Sequence, residues 1–269
     1  MPLIAGVDSS TQSTKVEIRD QETGAVVASA SAPHPAVMAP SSEQDPASWW
    51  MALEQAWAQA GSPEVVAISV GGQQHGMVAL DADGMAVHPA KLWNDTESAD
   101  DADRLTGLVS PADWAAAVGS VPVAAFTVTK LAWLARTHAD VWSRVRHVML
   151  PHDYITNRLT GQLTTGSTTD RGDASGTGYW SPAESKYRID LLDLVDGTRE
   201  WESMLPRVLG PMEHAGHSTS LSIAAGAVVA PGTGDNMAGA LGVGLRPGDA
   251  VISIGTSGTV YAVSNTSTS

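Results

Sequence analysis

The chain has 269 residues, of which 43% are hydrophobic and 16% charged, with a formal net charge of −14 and no cysteine. Such a balance describes a folded protein with ample core, and its acidity argues against nucleic acid or an anionic membrane surface as the main partner. Without cysteine, thiol catalysis, disulfides and thiolate-bound zinc are excluded.

Residues 3–8 form a short apolar run that predicts a buried strand at the very start of the chain. It leaves no room for a signal peptide, and no apolar run reaches transmembrane length, so a cytoplasmic location is expected. A polar turn, Ser9-Ser10-Thr11-Gln12-Ser13-Thr14, leads into residues 15–20, which alternate with period two. A second turn precedes residues 25–30, so an antiparallel meander of three strands is expected. Asp45-Pro46 supplies an N-cap and a first-turn proline, and Trp49, Trp50, Leu53 and Trp57 follow at helical spacing as core residues. That helix should end near Gly61.

Residues 65–70 predict another buried strand, running into Gly71-Gly72-Gln73-Gln74-His75-Gly76. A hairpin is expected between Val78 and Trp93, turning at Asp83-Gly84. Helical patterns dominate residues 96–160 around one short strand at 147–150, with Asp100, Asp101 and Asp103 on a solvated helix face. Residues 164–178, rich in Gly, Ser, Thr and Asp, predict a loop or a pair of short strands. A strand at 227–230 feeds Pro231-Gly232-Thr233-Gly234, and the small residues of 236–244 suggest a tightly packed helix beginning after Asp235. Strands alternating with helices make an α/β protein. Residues 250–264 then repeat the opening of the chain: apolar strand, Gly/Ser/Thr turn, apolar strand.

The two polar turns, Ser10-Thr11-Gln12 and Gly255-Thr256-Ser257-Gly258, each offer N–H and O–H donors suited to phosphate oxygens, and Asp8 at the edge of the first could hold a metal ion. As a pair they could clamp a triphosphate from two sides; either alone could be a simple turn. No Walker-type run occurs, and Gly232-Thr233-Gly234 lacks the third glycine of a dinucleotide fingerprint. Asp235 could be a helix N-cap or a base that takes a proton from a bound hydroxyl. His75, in a loop flanked by glycine, could be structural or touch a ligand, and Trp93-Asn94-Asp95 could be core or the aromatic wall of a sugar site. His214 and His217 have no carboxylate at a supporting spacing and carry no metal site.

Together these segments resemble the FGGY carbohydrate kinases, most closely the xylulokinases among them. The matching pieces run in family order: Asp8-Ser9-Ser10-Thr11-Gln12 with Lys15, Glu43-Gln44-Asp45-Pro46 with Trp49-Trp50, Gly72-Gln73-Gln74-His75-Gly76, and Leu92-Trp93-Asn94-Asp95. Thr129-Lys130-Leu131, Leu150-Pro151-His152-Asp153-Tyr154, Asp173-Ala174-Ser175-Gly176-Thr177, Gly234-Asp235-Asn236 and Gly255-Thr256-Ser257-Gly258 continue the series. Ser10 stands where the family's first loop often has glycine.

The resemblance implies a ribonuclease H-like fold of the actin and hexokinase superfamily, a mixed β-sheet with flanking helices. It divides the chain into an N-terminal sugar-binding and base-carrying domain, 1–246, and the first hairpin of an ATP-binding domain, 247–269. It implies transfer of the γ-phosphoryl group of ATP, with Mg²⁺, to the 5-hydroxyl of D-xylulose; ribulose, gluconate or glycerol are the neighbouring substrates. By position Asp235 matches the general base, Asp8 the catalytic residue near Mg²⁺ and the phosphates, and Gln74 and His75 the sugar-contacting pair. Trp93 and Asn236 lie with the sugar; Ser10, Thr11 and Gln12, and Gly255, Thr256, Ser257 and Gly258, match the two phosphate loops. A homodimer is compatible with the resemblance. Family members continue for roughly as long again, so this chain by itself is expected to be inactive; a non-catalytic module binding sugar or protein is the alternative.

Overall fold

The computed structural model describes residues 1–38, 41–254 and 258–266. The N-terminal meander forms as its alternation demands: β1 (Leu3–Ser9), β2 (Ser13–Asp20) and β3 (Val26–Pro33) pair antiparallel in sequence. Along β2, Thr14, Val16 and Ile18 point inward while Lys15 and Arg19 point out. After β4 (Glu43–Gln44), α1 (Pro46–Gln59) starts at Asp45, whose carboxylate accepts the Ala47 amide at 2.9 Å. Trp49, Leu53 and Trp57 of α1 are buried against β2 and β3. Each such side chain contributes roughly 1.5–3 kcal/mol by leaving water.

β5 (Ala67–Gly72) crosses back to lie parallel to β1. The hairpin expected next forms in an irregular way. A tight turn closes at Gly84, whose amide donates to the Asp81 carbonyl at 3.1 Å, and Leu80–Ala86 and Met77–Lys91 bridge across it as isolated pairs rather than as a continuous ladder. The regular ladders lie on the outer edges: β6 (Val78–Leu80) pairs with β8 (His147–Met149), and β7 (Ala90–Lys91) pairs with β4. Between β7 and β8 lie α2 (Ala99–Leu108), α3 (Pro111–Val118), α4 (Thr127–Thr137) and α5 (Ala139–Trp142). With the later α8 (Ile189–Asp196) and α9 (Trp201–Met204), these build a second core around Leu105, Trp114, Leu131, Leu134 and Trp201. Asp101 is not on a solvated face: it is buried and takes both Nε and Nη2 of Arg136, at 3.1 and 2.9 Å.

α6 (Pro151–Thr160) follows β8 and packs under β5. The stretch expected to be a loop or strand pair becomes β9 (Thr168–Asp170) and the one-turn α7 (Arg171–Ala174), because the Asp170 side chain accepts the amides of Gly172 and Asp173. β10 (Trp180–Ser181) and β11 (Lys186–Tyr187) form a small ribbon, and β12 (Arg207–Leu209) joins β9. β13 (Gly216–His217), β14 (Val228–Val229) and β15 (Thr233–Gly234) complete the main sheet, in the order β13-β14-β5-β1-β2-β3 with β15 also on β5. This is the mixed, helix-flanked sheet of the expected ribonuclease H-like fold.

α10 (Asp235–Gly242) leaves the end of β15. It is not the tightly packed helix its small residues suggested, since none of its residues is buried. β16 (Ala250–Ile254) and β17 (Gly258–Ala262) then pair as a separate two-stranded sheet, as the repeated pattern predicted. Among the described residues no helix is long and apolar enough to cross a membrane.

Candidate active site

Three parallel strands, β1, β5 and β15, end side by side: Asp8 pairs with Gly71 and Ser9 with Gly72, while Thr233 and Gly234 pair with Gly71 and Gly72 from the other flank. Ligands of open α/β sheets bind where such carboxyl ends meet. The topology therefore gathers Asp8, the loop containing Gln74 and His75, and Asp235 from three distant parts of the sequence. Asp8 stands on the exposed face of β1, opposite Lys15 of β2. On that face α10 passes close by, with a Cβ on Gly71 coming within 3.4 Å of Ala238.

Asp235 is the first helical residue of α10, and Gly234, not Asp235, is the N-cap. Its Oδ1 accepts the Asn236 amide at 2.7 Å. Burial pushes the Asp235 carboxyl up to about 6; the Asn236 hydrogen bond opposes this, and the charges of Asp8 and Asp173 add to it. The Asp8 carboxyl is likewise raised by the protein crowding it, with Lys15 pulling it down.

Asn236 Nδ2 donates to Gln74 Oε1 at 2.9 Å, joining the turn between β15 and α10 to the loop after β5. Gln74 lies across Gly234 so closely that a Cβ there would be 2.5 Å from Gln74 Cγ. His75 adopts a left-handed φ of 62°, an uncommon state for a residue with a side chain. Its surroundings hold it there: Nδ1 donates to the Gly176 carbonyl at 2.7 Å, the Thr127 hydroxyl donates to its carbonyl at 3.2 Å, and its ring lies 5.1 Å from that of Phe126. Burial lowers the His75 pKa, so the neutral ring keeps its Nδ1 proton and leaves Nε2 as an acceptor. Behind Phe126, the buried Lys130 donates to the carbonyls of Ala124 and Ala125, and burial lowers its own pKa to about 7.

Trp93 does not join Gln74 and His75 directly. Its indole N–H donates to Thr11 Oγ1 at 2.9 Å, so it braces the β1–β2 turn. Ser10 turns inward on the same loop, its hydroxyl donating to the Ser13 carbonyl at 3.2 Å, while Gln12 is exposed. Gln44 staples the turn from below, donating to the Thr11 and Pro35 carbonyls and accepting from Trp49 Nε1. Gly258 opens β17; Gly255, Thr256 and Ser257 lie outside the described residues.

Residue-by-residue reading missed a buried charge cluster directly beneath the strand ends. His152 Nδ1 meets Asp173 Oδ2 at 2.9 Å, and its Nε2 lies 3.2 Å from Asp153 and 3.5 Å from Asp170. Burial opposes a charge on this imidazole, but Asp153, Asp173 and Asp170 outweigh it and favour the cation, while burial pushes the Asp153 carboxyl itself up to about 7. The sequence signal was the place of His152, Asp153 and Asp173 in the ordered motif series; Asp170 had none. A second cluster, Glu43, Asp95 and Glu97, has the spacing of a metal site, but Lys91 Nζ already fills it at 2.9, 3.0 and 2.6 Å. His214 and His217 are exposed, with rings 5.8 Å apart and no carboxylate completing a ligand set among the described residues.

Comparison with known proteins agrees with this geometry. A xylulose kinase of Streptomyces rubiginosus is 51% identical over 268 residues, covering 97% of this chain and 54% of that protein. The solved xylulose kinase of Bifidobacterium adolescentis superposes with a TM-score of 0.90 at 39% identity, covering 97% of this chain and 59% of that one. The xylulose kinase structure from Brucella ovis gives 0.84 at 32% identity, covering 97% and 54%. The chain thus spans about half the length of the curated relatives it matches. Residues 3–242 match the N-terminal domain of the FGGY family of carbohydrate kinases, and the chain belongs to that family.

Proposed function

We propose that this chain is the sugar-binding, base-carrying part of an ATP-dependent xylulokinase, which converts D-xylulose to D-xylulose 5-phosphate. The observation that carries the reading is the convergence of Asp235, Gln74 and His75 at the ends of β15 and β5, with Asn236 bonded to Gln74. His75 and Gln74 bind and orient the sugar. Asp235 takes the proton of the attacking hydroxyl, whose oxygen bonds to the γ-phosphorus of ATP as the bond to the β-phosphate breaks and ADP leaves. Asp8 would hold Mg²⁺ together with phosphate oxygens, in keeping with the few protein ligands this ion requires. When bound, Mg²⁺ supplies charge neutralisation for the transferring phosphoryl group. Residues 247–269 are read as the start of the second, nucleotide-binding domain, with the β1–β2 turn as a phosphate loop of the first.

The Asp235 value of about 6 keeps most of the base ionised at neutral pH while leaving it a competent proton acceptor. Titration calorimetry of D-xylulose against the 269-residue chain tests the sugar site; saturable, stoichiometric binding is expected. An assay of ADP formation on this chain, and on one extended to the length of the relatives, tests the reaction. Activity only in the longer chain, with D-xylulose preferred over ribulose, gluconate and glycerol, is the expected result; no activity with any of these sugars in the longer chain would overturn the reading.

A further inference from the structure

A general base must be fixed in place, yet the helix that begins with Asp235 has no buried residue to anchor it. A cavity of about 680 Å³ also undercuts it, lined by Gly71, Gly172, Trp180, Thr233, Met237 and Leu241 among others. Packing alone therefore does not locate Asp235. A polar tether does. The hydroxyl of Thr233, two residues before the base, donates to Asp170 Oδ2 at 2.9 Å. The same carboxylate caps α7, accepting Gly172 N at 2.7 Å and Asp173 N at 3.1 Å.

The far end of that short segment holds the sugar side, because the Gly176 carbonyl takes the His75 Nδ1 proton. The middle is pinned from below by the ion pair between Asp173 and His152. His152 fills space that Gly72 and Gly232 leave: a Cβ on Gly72 would stand 2.8 Å from the His152 Cβ, and one on Gly232 2.7 Å from its ring Cδ2. One stretch of seven residues thus touches the base turn, the His75 loop and the buried cation between them.

We infer that residues 170–176, pinned by His152, form a positioning element that holds the base turn and the His75 loop at a fixed separation, with Asp170 positioning Asp235 through the Thr233 hydroxyl. This rests on reading Asp235 as the base, but the tether itself is testable without catalysis. The charges facing Asp235 are Asp8 of β1, with Lys15 opposite it on β2, and Asp173 of α7, with His152 against it.

The test is a ¹³C NMR titration of the Asp235 carboxyl in the 269-residue chain, assigned with Asp235→Asn, in Thr233→Val and Thr233→Ser. Valine keeps the shape of threonine and removes the donor, so the loosened turn should admit water and lower the Asp235 pKa by at least ~0.5 pH unit. Serine keeps the donor and should restore the wild-type curve. A folded Thr233→Val chain that titrates like wild type would overturn the inference, as would a serine variant shifted as far as valine. Should valine prevent folding, amide order parameters in the unaltered chain decide: values near ~0.85 for residues 232–236 support the tether, and values below ~0.6 overturn it. A Thr233→Val shift in a chain that binds no sugar would remove the functional reading and leave the tether standing.

Discussion

On the proposed reading His75 and Asp235 face one sugar, yet the protein holds them by different means. His75 is fixed by a ring hydrogen bond, a carbonyl hydrogen bond and contact with Phe126, whose loop is tied down by a buried lysine. Its strained backbone persists because so many partners specify it. Asp235 sits on a helix with no buried residue, beside apolar side chains left open to solvent: Leu241 is 82% exposed and Ile254 of the neighbouring hairpin 86%. The binding side is packed and the base side is tethered. On this reading the sugar pocket is complete within this chain, and the base turn keeps an open apolar surface against which further protein could pack.

The largest effect should come from the base itself. In a chain extended to the length of the relatives, Asp235→Ala should lower turnover by ~10²–10⁴-fold and leave D-xylulose binding measurable by calorimetry. Near-normal turnover would sink the assignment. His152→Gln comes next and strikes both sides at once, because it strips the buried carboxylates of their cation. Breaking a buried pair by removing one partner costs about 3–5 kcal/mol, read as a fall in the urea midpoint. A loss under about 1 kcal/mol would show that the cluster does not bind the two sides together.

Gly176→Ala separates the sides. The backbone tolerates alanine here, but its Cβ would stand 2.5 and 2.6 Å from Cε1 and Nδ1 of His75. The imidazole must swing away, so D-xylulose affinity should fall about tenfold, near 1.4 kcal/mol, with the Asp235 titration unmoved. If both change together, the two sides are not independently held.

The contrast also marks what the sequence could reveal. The meander and α1 were legible because their signals are local: β2 alternates, and Asp45-Pro46 marks a helix start whatever surrounds it. The turn at Gly84 and the bridges across it were legible for the same reason, but the further pairing of β6 with β8, some seventy residues on, was not, because it is not local. Residues 164–178 were opaque because Asp170 and Asp173 take their roles from His152 and from Thr233, 63 residues away in sequence. Asp101 misled for the same reason, its partner Arg136 being 35 residues away. α10 failed in the opposite sense: small residues permit close packing but do not say against what. Among site residues, Gln74, His75, Asp235 and Asn236 were found through their order along the chain. Trp93 was placed with the sugar on its aromatic face, the polar groups beside it and its motif's place in the series; that its N–H reaches Thr11, 82 residues away, was not legible.

The smallest expected effect bears on the base side alone. The folded pKa of Asp235, about 6, lies above the ~3.9 of an unfolded aspartate. Between those values the folded chain holds a proton that the unfolded chain has lost, so stability declines as pH rises from about 4 to 6 and is level above. Asparagine carries no such proton and can still accept the Asn236 amide. Asp235→Asn should therefore be more stable than wild type above pH ~6, with the difference gone below pH ~4. Water around this half-buried carboxylate limits the gain to about 1 kcal/mol, measurable by urea unfolding at the two pH values. Combined with Thr233→Val the gain should shrink, because a turn no longer tied to Asp170 can hydrate its carboxylate in the folded state. Combined with Gly176→Ala it should persist, since that substitution disturbs only the packed side.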